Sequence, residues 1–196
     1  MQEIEIELKN LLTKEEFETC LTHYNQDLAN AKKQINHYFE TPDFQLKARG
    51  AALRIREKNN HYTMTLKEPH KDALLETHAN MSEAEARQFI HNQDTFPSLI
   101  AEALNRLDIN QGALIYGGQL RTERLEFEED GLLIVLDKSH YHGLTDYELE
   151  IEGPSVASVE AKLNQLLSQL AISKKQTPNK IARFYQALQQ RNANHN

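Results

Sequence analysis

Glu3-Ile4-Glu5-Ile6-Glu7-Leu8-Lys9 alternates charged and aliphatic residues without a break. A β-strand sends successive side chains to opposite faces, so Glu3, Glu5, Glu7 and Lys9 share one face and Ile4, Ile6 and Leu8 share the other. The pattern returns late in the chain as Glu148-Leu149-Glu150-Ile151-Glu152. In most antiparallel sheets such charges simply face solvent. Rows of carboxylates have a second use, because two rows brought together make an oxygen-rich site for divalent cations.

Other strands decide between these readings. Ala52-Leu53-Arg54-Ile55-Arg56-Glu57 puts Arg54 and Arg56 on one face, opposite Leu53 and Ile55. Tyr62–Lys67 puts Thr63, Thr65 and Lys67 opposite Tyr62, Met64 and Leu66, and Arg124, Glu126 and Glu128 lie opposite Leu125 and Phe127. Lys138 and Asp137 close the apolar run that starts at Leu132. One striped strand is ordinary surface. Several of them, carrying both signs, suggest polar faces lining a shared interior while the aliphatic faces pack outward against helices. A closed barrel of about eight strands leaves room for a ligand. A polyanion with its metal would balance both signs, since Arg and Lys meet phosphate oxygens and carboxylates hold Mg²⁺ or Mn²⁺.

The rest of the chain fits between these strands. Thr13-Lys14-Glu15-Glu16 and Ser82-Glu83-Ala84-Glu85 read as capping boxes opening helices. The first runs to about Tyr24 with Phe17 and Leu21 inward. A stripe of Leu99, Ile100, Ala103, Leu104 and Leu107 marks another helix. Residues 34–40 form a strand ending at Thr41-Pro42-Asp43. Asn59-Asn60 and Asp130-Gly131 are hairpin turns. Strands are expected at Ala73–Ala79, with Glu76 and His78 on one face, at Ala113–Tyr116, and at Gln119–Glu128. Ser155 starts a helix carrying Val159, Leu163, Leu166, Leu167 and Leu170, and Thr177-Pro178 starts the last one. The short connections imply antiparallel pairs. The expected architecture is α+β: an antiparallel eight-stranded closed barrel, a tunnel, with helices outside. Residues 1–190 make a single domain and 191–196 a frayed tail.

Composition narrows the function classes. A net charge of −7 over 196 residues argues against a general nucleic-acid binder. Cys20 is the only cysteine, so no internal disulfide forms, and on its helix after Phe17 it reads as a buried structural thiol. No membrane-length apolar stretch and no signal peptide are found, and the expected location is cytoplasmic. No Gly-rich phosphate loop, zinc spacing or nucleophile elbow occurs. His140 and His142 share a strand face but read better as loop residues before Gly143. His37 and Tyr38 are candidates for substrate contact, while Tyr38 and Phe39 read equally as core.

The full ordered series resembles the CYTH family, the triphosphate tunnel metalloenzymes, in its small stand-alone bacterial members. Glu5-Ile6-Glu7-Leu8-Lys9 looks like the family's ExExK signature, and Asn36–Asp43 its tyrosine–aromatic–acidic–Thr-Pro segment. Ala52–Arg56 is similar to its ALRxR strand and Thr65-Leu66-Lys67 to its TxK strand. Arg124, Asp137 and Glu148–Glu152 follow in order, and Pro178–Arg183 resembles the C-terminal basic helix, with Asn179 where many members have Ser. The resemblance implies a metal-dependent triphosphatase with Mg²⁺ or Mn²⁺ as cofactor. Glu5, Glu7, Asp137, Glu148, Glu150 and Glu152 are then metal ligands, with the direct ones among the late three left open. Lys9, Arg54, Arg56, Lys67, Arg124, Lys180 and Arg183 bind phosphate, and Glu5, Glu7, Lys9, Arg54, Arg56 and Lys67 carry catalysis. The expected partner is a small-molecule triphosphate (tripolyphosphate, thiamine triphosphate or a nucleotide), with no nucleic acid and no membrane. Two alternatives stand beside this: a class IV-like adenylate cyclase, and a non-catalytic polyphosphate- or nucleotide-binding module.

Overall fold

The computed structural model describes residues 1–92 and 95–193. Among them are nine β-strands and six α-helices. They form two compact units, one of Met1–Ile4 with Gln34–Leu120, the other of Glu5–Lys33 with the chain from Arg121 onward. The chain has the expected α+β class with antiparallel pairing, but nine strands replace eight.

The difference lies in the opening stretch. β1 (Gln2–Glu5) and β2 (Glu7–Leu12) are separate strands that part at Ile6. At one end the Met1 carbonyl accepts from the His78 N–H at 2.8 Å. At the other the Ile6 carbonyl accepts from Gly153 N–H at 3.1 Å, extending by one residue the ladder in which Glu7 faces Glu152. Side-chain alternation passes through the break unchanged, so its period carries no sign of it.

The first unit holds β1, β3 (Lys32–Glu40, from Gln34), β4 (Ala52–Lys58), β5 (His61–His70) and β6 (Ala73–Met81), ordered β1-β6-β5-β4-β3. Asn59 and Asn60 both take positive φ, +53° and +61°, as a two-residue hairpin turn requires and as asparagine tolerates. Phe39, Leu53, Ile55, Met64 and Leu66 form the apolar face. It packs on Ala86 and Phe89 of α3 (Glu83–Asn92) and on Ile100, Ala103 and Leu104 of α4 (Ser98–Arg106). The Ser82 capping box forms as expected, with the Ser82 hydroxyl accepting from Glu85 N–H and the Glu85 carboxylate accepting from Ser82 N–H. Leu99 leaves the expected stripe and is 43% exposed, because Ile100, Ala103 and Leu104 already supply the i, i+3, i+4 inner face.

The second unit orders β7 (Ile115–Glu129, from Arg121), β8 (Leu132–Tyr141), β9 (Leu144–Glu152) and β2 as β7-β8-β9-β2. β7 is one strand where two were expected, since Gly117-Gly118 does not interrupt it. Leu125, Ile134, Leu136, Leu149 and Ile151 pack on Phe17 and Cys20 of α1 (Lys14–His23) and on Val159, Leu163, Leu166 and Leu167 of α5 (Val156–Gln169). Thr13 and Glu16 close the first capping box, and Ser155 caps α5. Cys20 is fully buried, and burial pushes its thiol up to about 11. It is therefore expected to resist a thiol-titrating disulfide reagent at pH 8 and to react in one equivalent after denaturation; rapid titration of the native protein would contradict the packing.

The last helix begins later than Thr177-Pro178 suggests. It spans Lys180–Ala193, numbered α6 after the four-residue turn α2 (Gln45–Ala48) and α3–α5. Asn179 is its cap, its side-chain oxygen accepting from Ala182 N–H at 2.8 Å. Thr177 serves β2 instead, its hydroxyl accepting from Leu11 N–H at 2.9 Å. Of the expected tail, residues 191–193 belong to α6 and 194–196 lie outside the described residues. Among the described residues no helix is long and apolar enough to cross a membrane.

Candidate functional site

In each unit the helices take the aliphatic strand face, leaving the charged residues on the other. In the second unit the register sets like charges against each other. Glu7 faces Glu152 across β2–β9, and Asp137 faces Glu148 across β8–β9. Carboxylates directly opposed on neighbouring strands destabilise a sheet unless something offsets them. The two groups differ in their surroundings.

The buried trio Asp137, Glu148 and Glu150 is offset by protein cations. Arg124, opposite Asp137 on β7, donates to Asp137 from Nε at 2.7 Å and from Nη2 at 2.6 Å, and from Nη2 to Glu150 at 2.8 Å. Lys180 of α6 reaches Asp137, Glu148 Oε1 at 3.1 Å and Glu150 Oε1 at 2.9 Å. Arg183, one turn on, donates from Nη2 to Glu148 at 2.5 Å and from Nε to Asp146 at 2.9 Å. Burial works against ionisation of Glu150, yet Lys180 and Arg124 hold its carboxyl well below the usual range. Asp137 is likewise held low against its burial by Arg124 and Lys180. For Glu148, burial prevails and, with the neighbouring Glu150, pushes it up to about 7 despite Lys180 and Arg183.

Glu5, Glu7 and Glu152 form the second group, with carboxylate oxygens within 4.8 Å of one another. Lys9 Nζ donates to Glu7 at 2.5 Å. Burial, followed by the charges of Glu5 and Glu150, pushes Glu152 up to about 7. Three crowded carboxylates, one of them already drawing a proton, form an all-oxygen donor set that suits a hard divalent cation. The six acids expected to bind metal thus divide into two trios of different character.

The first unit carries the other cations. Lys67 faces Glu76 across β5–β6 and pairs with it, while Arg54 Nη2 lies 4.0 Å from the same carboxylate. Arg56 Nε donates to Asn36 Oδ1 at 2.9 Å. His78 Nε2 is 2.9 Å from Glu3 and 3.3 Å from Glu76, and its Nδ1 is 3.0 Å from the Thr65 hydroxyl. Glu3 therefore joins Glu76 and His78 rather than the Glu5–Glu7 row, the consequence of the break at Ile6. Glu40, in the Thr-Pro segment, is buried and accepts from the backbone N–H groups of Thr41, Leu46 and Lys47 at 2.8–2.9 Å, so it organises the turn around α2.

Several residues lie apart from these groups. His37 is on the helix-facing side, Nδ1 3.1 Å from the Tyr116 hydroxyl. His142 sits in the β8–β9 turn with φ +48°, while His140 meets Thr145 at 3.0 Å; the two do not form a metal pair. The sequence reading omitted Glu76, His78 and Asp146 from the site. Glu76 and His78 were legible as a charged face, and Asp146 continues the alternation of Glu148, Glu150 and Glu152 by one more step.

Residues 3–185 match the family model of the CYTH domain. The chain belongs to the CYTH family. It is 42% identical over 185 residues to the Bacillus subtilis (strain 168) protein named "Putative triphosphatase YjbK", covering 94% of this chain and 96% of that one. Among solved structures, a Bacillus halodurans protein described as a putative adenylate cyclase superposes with a TM-score of 0.90 at 40% identity, covering 94% of this chain and 98% of the other. The Hippeastrum protein HpAC1, described as a putative adenylyl cyclase with a dominant triphosphatase activity, matches at TM-score 0.74 and 20% identity over 95% and 96% of the two chains. At that identity it shares the fold.

Proposed function

We propose that the chain is a divalent-metal-dependent triphosphatase that releases the terminal phosphoryl of tripolyphosphate or of an organic triphosphate. The observation that carries this reading is the facing pair Glu7 and Glu152 with Glu5 beside them, three carboxylates whose oxygens converge within 4.8 Å of one another. The 42% identical relative, whose name reads "Putative triphosphatase YjbK", points the same way. Glu5, Glu7 and Glu152 would hold Mg²⁺ or Mn²⁺. When bound, such an ion polarises a phosphoryl oxygen and lowers the pKa of water.

The remaining work is positioning and charge compensation, which dominate phosphoryl transfer. Lys9, Arg54, Arg56 and Lys67 would grip phosphate oxygens, the arginines through their planar forks. Arg124, Lys180 and Arg183 are each engaged with at least two carboxylates. In this reading they first keep Asp137 and Glu150 ionised and Glu148 aligned, and meet substrate only by exchanging those partners.

The test is orthophosphate release from tripolyphosphate, thiamine triphosphate and ATP, with Mg²⁺ or Mn²⁺ and with EDTA, following cyclic AMP in the ATP reaction. Metal-dependent orthophosphate is the expected product. Cyclic AMP with pyrophosphate instead would make the chain a cyclase, and tight triphosphate binding without turnover would make it a binding module. Arg56→Ala is expected to lower kcat/KM by about 10²-fold, the scale of losing one preorganised donor to developing charge, with an unchanged circular dichroism spectrum. Near-normal turnover would remove Arg56 from the site.

A further inference from the structure

Asp146, Glu148 and Glu150 lie at i, i+2 and i+4 on β9 and therefore share a face, spaced about 6.8 Å apart along the strand. Lys180 and Arg183 lie at i and i+3 on α6, about 4.5 Å apart along its axis. The two cations interleave with the three acids. Lys180 bridges Glu150 and Glu148, and Arg183 bridges Glu148 and Asp146. Each cation thus spans two successive acids, which fixes how far α6 can slide along β9.

The outer end of this ladder is built. Arg183 is 8% exposed and uses each guanidinium nitrogen: Nε to Asp146, Nη1 to the Pro178 carbonyl at 2.5 Å and Nη2 to Glu148. Asp146 is itself held, accepting from the hydroxyl of Tyr141, a buried residue at the end of β8. An exposed ion pair contributes little order. Here a planar fork is clamped from three directions, so its orientation is set by its partners rather than by solvent.

We infer that Asp146 is a positioning residue. By fixing the Arg183 fork it orients the Glu148 carboxylate and sets the register of α6, and with it the placement of Lys180 on the acidic row. Asp146 lies outside the ExE motif and acts only through Arg183. The kinetic arm of its test rests on the triphosphatase reading; a spectroscopic arm does not.

Asp146→Ala, Asp146→Asn and Tyr141→Phe would be compared with the wild-type chain in tripolyphosphate turnover with Mg²⁺, in melting temperature, and in the NMR resonance of the Arg183 Nε–H, assigned by its loss in Arg183→Lys. In Asp146→Ala, kcat is expected to fall about tenfold with KM within twofold, and the Nε–H resonance to lose its protection from solvent exchange. Asparagine keeps a side-chain oxygen for Nε, so Asp146→Asn is expected to recover most of both. Tyr141→Phe should shift both the same way by less. A wild-type kcat in the Ala variant, or equal losses in the Ala and Asn variants, would overturn the inference even if stability fell. Absence of turnover in the wild type, with the resonance protected as expected, would overturn the triphosphatase reading and leave the ladder standing.

Discussion

Arg124→Met is expected to lower the melting temperature by on the order of 10 °C. Three buried acids, Asp137, Glu148 and Glu150, are matched by three cations, Arg124, Lys180 and Arg183. Removing one partner from a buried ion-paired set leaves an uncompensated charge and costs about 3–5 kcal/mol. For a chain of this size each kcal/mol corresponds to about 2–4 °C. The same reasoning gives a control. Arg124→Met with Asp137→Leu removes one charge of each sign and fills the space with apolar atoms, an exchange that is often neutral. Thermal unfolding should show the double variant recovering most of the loss. If both variants melt alike, the charge balance does not govern the stability of this centre.

The second large effect concerns the metal. Adding Mg²⁺ or Mn²⁺ is expected to raise the melting temperature, by about 2.7 kcal/mol of stabilisation at a hundredfold excess over Kd, and Glu152→Gln or Glu7→Gln should abolish most of that shift. EDTA should stop triphosphate turnover while leaving the far-ultraviolet spectrum intact. The pH dependence has a definite sign. Glu152 has a folded-state pKa raised to about 7 by burial and by Glu5 and Glu150. Without metal, the folded state binds this proton more tightly than the unfolded chain, so this group favours folding more as pH falls through 7. A cation competing for the same carboxylate reverses the preference. The metal-induced shift should therefore be larger at pH 8 than at pH 6. A shift that is equal at both, or that persists in Glu152→Gln, would place the ion elsewhere.

Much of this molecule was readable from residue types alone because its signals are local. Alternation exposed the charged faces of β4, β5 and β9, and capping residues at Thr13, Ser82 and Ser155 marked helix starts that the structure keeps. What stayed hidden depended on partners distant in sequence. The break at Ile6 follows from the pairing of Ile6 with Gly153 and leaves no mark on the local period. The late start of α6 follows from Thr177 turning to Leu11. The division of the six acids into two trios follows from the register of β2, β8 and β9 and from where α6 lays Lys180 and Arg183. Motif order named the candidates. Only the pairing separated Asp137, Glu148 and Glu150, which Arg124, Lys180 and Arg183 clamp, from the Glu5–Glu7–Glu152 trio.

The second unit is assembled from the two ends of the chain, Glu5–Lys33 and the part from Arg121 onward, with most of the first unit lying between them. During synthesis, β2 emerges early, yet the strand it pairs with through Glu7 and Glu152 appears only after the residues of β3 to β8 have been made. Closing so long a loop is slow, because its entropy is lost before the contact gives any return. The hairpins β4–β5–β6 and the helices α3 and α4 that cover them are complete far sooner. The middle of the chain is thus placed to condense on the ribosome first, while β2 waits for β9, and the two glutamates and lysine of the ExExK stretch keep that waiting segment soluble. The charges that serve the finished site would then also protect the nascent chain from sticking to its neighbours.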